Sequence, residues 1–221
     1  MTTYFDKIRH LYGIPAQEKI GFDRSEIDQP LPEILLEYYL SLGKHEALNY
    51  SHNRLLKPGG EIGFSQDEYL IFYEENQAVV YWGIKKSDLA LKNPPVYGNY
   101  SGNEMQPDWH LESASTDGFL LLMAAYNGVL GGLEFNANSF APVPAETVSY
   151  IQQNYGEIKD ISHATQRVFT RDFVEMISLS FDKEGNCTGA FIGTGDGDRF
   201  DQMLDQLDID WDYISLEDEE Q

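Results

Sequence analysis

Apolar and polar positions along this chain follow two rhythms, one of period two and one of period close to 3.6. The clearest period-two stretch is 69–84, YLIFYEENQAVVYWGI, where runs of aromatic and β-branched residues flank Glu74-Glu75-Asn76. That is the pattern of an antiparallel hairpin. In its first arm Tyr69, Ile71 and Tyr73 alternate with Leu70 and Phe72; in its second, Ala78, Val80, Trp82 and Ile84 alternate with Val79 and Tyr81. A strand apolar on both faces belongs in the middle of a sheet, covered on at least part of both sides. A second hairpin is predicted where Phe173–Phe181 and Thr188–Gly193 flank the turn residues Asp182–Cys187. LEFNANSF, 133–140, reads as an edge strand or extended arm.

The helical rhythm appears in five places. Phe5, Ile8 and Leu11 mark a short N-terminal helix or arm before a turn at Gly13–Pro15. After Asp28-Gln29-Pro30-Leu31-Pro32, residues Leu31, Leu35, Tyr38, Tyr39 and Leu42 share one helical face, with Pro32 in the first turn and Gly43 as the stop. That stripe is a core face or a groove for a partner helix. Asp117-Gly118 opens FLLLMAAYNGVL, apolar nearly all round and so buried on most sides, with Gly131-Gly132 ending it. A fourth helix is expected over about 145–155. A fifth spans 200–207, capped by Asp196 or Asp198, with Phe200, Leu204 and Leu207 as its stripe. Between the elements, 44–63 is polar with a turn at Lys57-Pro58-Gly59-Gly60, and 85–118 reads as a long irregular stretch carrying Tyr97, Tyr100 and Trp109. Aromatics on such a stretch anchor partners or plug the edge of a core.

The expected fold class is α+β: an antiparallel sheet with helices packed mainly on one side, plus a C-terminal hairpin-helix extension from about residue 142. Residues 1–212 are expected to form a single domain, and 213–221 an acidic disordered tail. With 221 residues the chain is long enough for a sizeable core.

Charge changes the picture most. The formal net charge is −22. An acidic surface repels phosphate backbones, so direct binding to nucleic acid or anionic membranes is not expected, whereas a basic protein would be steered towards it. The same acidity would also serve solubility alone. Between Asp196 and Gln221 eleven carboxylates are opposed by Arg199 only, a solvated face or an interaction tail. The N-terminus has no apolar core of signal length and no stretch is long enough to span a membrane, so the chain is expected in the cytoplasm, or exported by a route the sequence does not show. Cys187 is the sole cysteine, so neither an internal disulfide nor a cysteine-based zinc site can form.

No catalytic pattern stands out. His10, His45, His52, His110 and His163 never fall at metal-ligand spacing; His45, Glu46 and His52 share a loop but are too few ligands for a usual site. Gly193–Asp198 looks like a phosphate loop yet lacks its lysine, and its aspartates would repel phosphate. Asp196, Asp198 and Asp201 suggest calcium, but Leu207 stands where an EF-hand requires glutamate. No cofactor and no metal are expected, and no catalytic residue is assigned.

Several motifs, in order, resemble the SMI1/KNR4 (SUKH) superfamily: IDQPLPEILLEYYLSLG at 27–43, YLIFYEENQAVVYWGI ending in Trp82-Gly83, Asn93–Tyr97, Trp109, and the buried helix leading to Gly131-Gly132. The resemblance covers about residues 15–140. It departs from the family where Leu42-Gly43-Lys44 replaces an Asn-Gly pair, and nothing after about Pro142 takes part. The resemblance implies an α+β fold without enzymatic activity. It also implies an immunity protein that neutralises a cognate polymorphic toxin of nuclease or deaminase type, a basic partner in keeping with the charge. The alternative on the same fold is an intracellular scaffold or regulatory protein linked to envelope synthesis. For partner contacts the expected anchors are Tyr97, Tyr100 and Trp109, with Glu74, Glu75, Asp205, Asp208 and Asp212 as steering charges.

Overall fold

The computed structural model describes residues 3–101 and 106–215. Reciprocal bonds between Thr3 and Asp6 cap the first helix, α1 (Tyr4–Leu11), as a capping box does. Next come α2 (Glu33–Leu42), α3 (Glu46–Asn49), β1 (Arg54–Leu55), β2 (Gly63–Phe64), β3 (Tyr69–Glu74), β4 (Tyr81–Lys85), β5 (Val96–Asn99) and β6 (Trp109–Ser113). The chain continues through α4 (Thr116–Asn127), β7 (Phe135–Ser139), α5 (Ala145–Asn154), β8 (Gly156–Glu157) and β9 (Gln166–Arg171). It finishes with β10 (Glu175–Phe181), β11 (Cys187–Thr194), α6 (Gly197–Gln206) and β12 (Tyr213–Ile214). These are α+β elements with antiparallel sheets. They fall into two compact units, residues 17–123 and residues 1–16 with 124–221.

The unit of residues 17–123 holds a sheet of order β1-β3-β4-β5-β6, with β2 also paired to β3. Every pairing is antiparallel. Leu70, Phe72, Trp82 and Ile84 point to its covered face and are 0–5% exposed. The apolar stripe of α2 packs there: Leu35, Tyr38, Tyr39 and Leu42 are buried, and the Tyr39 hydroxyl donates to Leu56 O (2.7 Å). The stripe is thus a core face, not a groove. Phe119 of α4 lies 5.6 Å, ring to ring, from both Phe72 and Tyr73.

Two expectations are corrected here. The second arm of the hairpin starts at Tyr81, not Ala78. Glu75 Oε2 accepts Gln77 N–H (2.9 Å) and Ala78 adopts φ +56°, so 75–80 forms a wide loop that leaves Val79 exposed. The stretch 85–118 is not irregular throughout, because it contains β5 and β6.

In the other unit the sheet order is β12-β7-β11-β10-β9-β8, again antiparallel throughout. The second hairpin appears as β10 and β11, and it is continuous with β7, which precedes residue 142. β7 lies inside the sheet between β11 and β12, where an edge strand or arm was expected. Ile151 of α5 and Phe200 and Met203 of α6 close a core with Phe169, Ile177, Leu179 and Ile192. Asp196, one of the two capping candidates, accepts Arg199 N–H (3.1 Å) at the start of α6. Glu175 is 2% exposed and ties α6 to the β9–β10 turn through Arg199 (2.8 Å) and Arg171 (3.4 Å). Tyr213 and Ile214, read as the start of a tail, pair with Asn138 and Ala137. The rest of that tail, 216–221, lies outside the described residues.

Candidate functional site

Strand alternation leaves the second face of the β3–β6 sheet open. Tyr69, Ile71, Tyr81 and Tyr97 are half-buried on it, and Leu111 is 60% exposed. The register explains the grouping: Ile71 lies opposite Gly83 and Gly83 opposite Tyr97, so the missing glycine side chain lets rings and aliphatics meet across β4. Trp109 stacks on Tyr69 at 3.9 Å between centroids and 9° between planes. Tyr97 meets Tyr69 edge-on at 5.7 Å, and Lys85 Nζ lies 4.2 Å from the centre of the Tyr97 ring. Stacked and edge-on pairs of this kind hold rings in one geometry beyond what area burial does.

Beside the aromatic stack is a hollow of about 480 Å³ whose walls include Phe64, Asp67, Glu74, Asn99 and Trp109. Its charges are held in pairs. Arg54 bonds Glu74 (2.7 Å) and Glu61 (2.9 Å), and the Glu74 bond raises the arginine further above its ordinary value. Glu61 is drawn below its ordinary value despite some desolvation, by the Lys57 N–H and the Arg54 guanidinium. Asp67 accepts Trp109 Nε1–H (2.5 Å) and the Ser65 hydroxyl (2.6 Å). Asn99 Oδ1 gathers Ser101 N–H, the Ser101 hydroxyl and Asp108 N–H, holding Ser101 and Asp108 to the end of β5. The result is a half-buried aromatic surface bordered by donors and acceptors that already have partners, a chemistry that suits holding another surface.

The expected contact residues separate into groups. Tyr97 and Trp109 lie on β5 and β6, on this face. Tyr100 follows β5 with a half-exposed ring; its hydroxyl donates to Glu112, which also accepts Trp82 Nε1–H (3.1 Å). Burial and the Glu112 carboxylate push the Tyr100 hydroxyl up. Glu74 lines the hollow, while Glu75 shapes the wide hairpin loop. Asp205, Asp208 and Asp212 belong to the other unit. Among them Asp212 Oδ2 accepts Phe140 N–H (2.7 Å), and the Asp208 carbonyl accepts the Thr147 hydroxyl (3.2 Å). Tyr69, Ile71, Arg54 and Asp67 were not singled out as contact residues. For Tyr69 and Ile71 the signal was the doubly apolar alternation of 69–73; for Arg54 and Asp67 there was none.

Among the described residues no group of three His, Cys, Asp or Glu could hold a metal ion. His45 Nδ1 instead accepts Leu48 N–H (3.2 Å) at the start of α3, and desolvation lowers both His45 and His52 below their ordinary values. Burial raises the Cys187 thiol. No helix among the described residues is long and apolar enough to cross a membrane. Neither family models nor curated proteins nor solved structures yield a match to this chain.

Proposed function

We propose that this chain is a non-enzymatic, cytoplasmic protein-binding module of SMI1/KNR4 type, an immunity protein that neutralises a basic polymorphic toxin. The observation that carries the reading is the open sheet face, on which Tyr69, Ile71, Tyr97 and Trp109 form an ordered apolar surface in a chain of net charge −22. Buried-and-ordered aromatics supply much of the affinity in protein interfaces, and an excess of one charge selects and steers a partner of the other sign. The order of motifs along 15–140, with Trp82-Gly83 in a central strand, supports the family assignment. Tyr97, Trp109 and Glu74 are the contact residues on this face; Tyr100, which shares Glu112 with Trp82, lies on the opposite side of the sheet. Glu75, Asp205, Asp208 and Asp212 act through their charge at longer range.

Co-expression with the toxin encoded next to this gene tests the proposal. Growth is expected to be restored and the toxin to co-purify with the chain. A neighbourhood holding no toxin, together with no protection from any toxin tried, rules the reading out.

A further inference from the structure

Among the described residues the edges of the two sheets are unequal. β1 and β2, which together border β3, and β8 and β12 are each two residues long. β6 is five residues long and is the end strand of its sheet. Native edges are kept from pairing with other chains by being short or by carrying lysine or proline. β6, Trp109-His110-Leu111-Glu112-Ser113, has neither residue, and its Leu111 is 60% exposed.

The direction of its backbone groups follows from the register. Tyr100 N–H donates to Asp108 O, and Asn99, Gly98 and Tyr97 lie opposite Trp109, His110 and Leu111. In an antiparallel pair hydrogen-bonded and non-hydrogen-bonded positions alternate. Since Tyr100–Asp108 is bonded, Trp109 and Leu111 turn their N–H and C=O groups away from β5. Among the described residues neither has a backbone partner on that side.

We propose that β6 receives an extended segment of a basic protein partner as an added strand, a mode in which main-chain bonds give affinity and alternate side chains give selectivity. This rests on reading the chain as a protein-binding module. Charge decides the occupant. Asp108, just before β6, and His110 and Glu112 within it lie on one side, with His110 Nε2 3.1 Å from Asp108, and Trp109 and Leu111 lie on the other. The two carboxylates against one imidazole favour an incoming strand that alternates basic with apolar residues. A second copy, itself at −22, is repelled.

The probe is a heptapeptide of alternating Val and Lys, compared with the same peptide N-methylated at alternate residues, which keeps charge and removes main-chain pairing. The unmodified peptide is expected to slow amide exchange at Trp109 and Leu111 by about ten-fold or more, and the N-methylated one to leave it unchanged. Leu111→Pro removes an outward N–H without touching the β5 ladder, so it should weaken binding by about ten-fold. Leu111→Thr keeps the N–H and should bind within about three-fold of the parent chain. Equal binding of both peptides, or of the proline variant and the parent, overturns the proposal. So do a threonine variant as weak as the proline one and a dimer paired through β6. None of these readings needs a toxin, so failure to protect cells leaves them standing, and a proline variant that still protects refutes strand addition alone.

Discussion

Gly21 has no room for a side chain. A Cβ there would stand 2.1 Å from both the carbonyl carbon and the oxygen of Leu40, on the main chain of α2. The glycine lets 20–22 lie against that helix, with Ile20 N–H donating to Ser41 O (3.0 Å) and Phe22 N–H to Tyr39 O (2.9 Å). Backbone cannot yield as a flexible side chain can. Gly21→Ala is therefore expected to lower the unfolding free energy by about 3 kcal/mol, read by urea denaturation; a loss below about 1 kcal/mol would show that the segment can lift off α2 at little cost. Trp109 poses the converse case, a large side chain held at a surface. Its ring stacks on Tyr69 and its Nε1–H reaches Asp67, yet it stays partly exposed. Its orientation is fixed before any partner arrives, which lowers the ordering cost of binding.

Among the elements, α3 shows how a side chain can set both a helix start and a pH response. His45 Nδ1 caps the helix only while that nitrogen is unprotonated. Desolvation holds His45 and His52 below the ordinary value of 6.5. A depressed folded value means the unfolded chain binds protons first, so their contribution is fully present above 6.5 and is lost as pH falls through the folded values. The thermal midpoint should drop between about pH 7.5 and 5. His45→Asn, which can still cap, should make that slope shallower; an unchanged slope would remove His45 from the account. Of the elements, α1, α2, α4, α5 and α6 and the β3–β4 and β10–β11 hairpins were legible, because apolar spacing, caps and turn residues agreed, whereas α3 falls in the stretch 44–63 that was expected to be a loop. β5 and β6 were not. Val-Tyr-Gly-Asn follows two prolines, and Trp-His-Leu-Glu-Ser carries no β-branched residue, so both strands owe their form to pairing with neighbours rather than to local preference. The candidate face was legible only in part: alternation exposed Tyr69 and Ile71, while the convergence of Tyr97, Trp109, Arg54 and Asp67 is a product of register.

Across the whole chain, the proposed function has charge set how a partner is approached and the open face set how it is held. With Lys and Arg at 15 against 37 Asp and Glu, attraction to a basic toxin acts over about a Debye length. The association rate should fall steeply as salt rises from about 0.02 to 0.3 M, while dissociation changes little. Replacing Asp205, Asp208 and Asp212 with neutral amides should slow association alone; stopped-flow rates indifferent to salt and to these changes would make the acidity a matter of solubility only. The central claim concerns the face itself. It is tested most directly by the Kd of the purified chain for the neighbouring toxin domain, compared with that of Trp109→Ala at unchanged fold and thermal midpoint. The expected result is a loss of about ten-fold or more; equal affinity in a well-folded variant would contradict the assignment of binding to this sheet face.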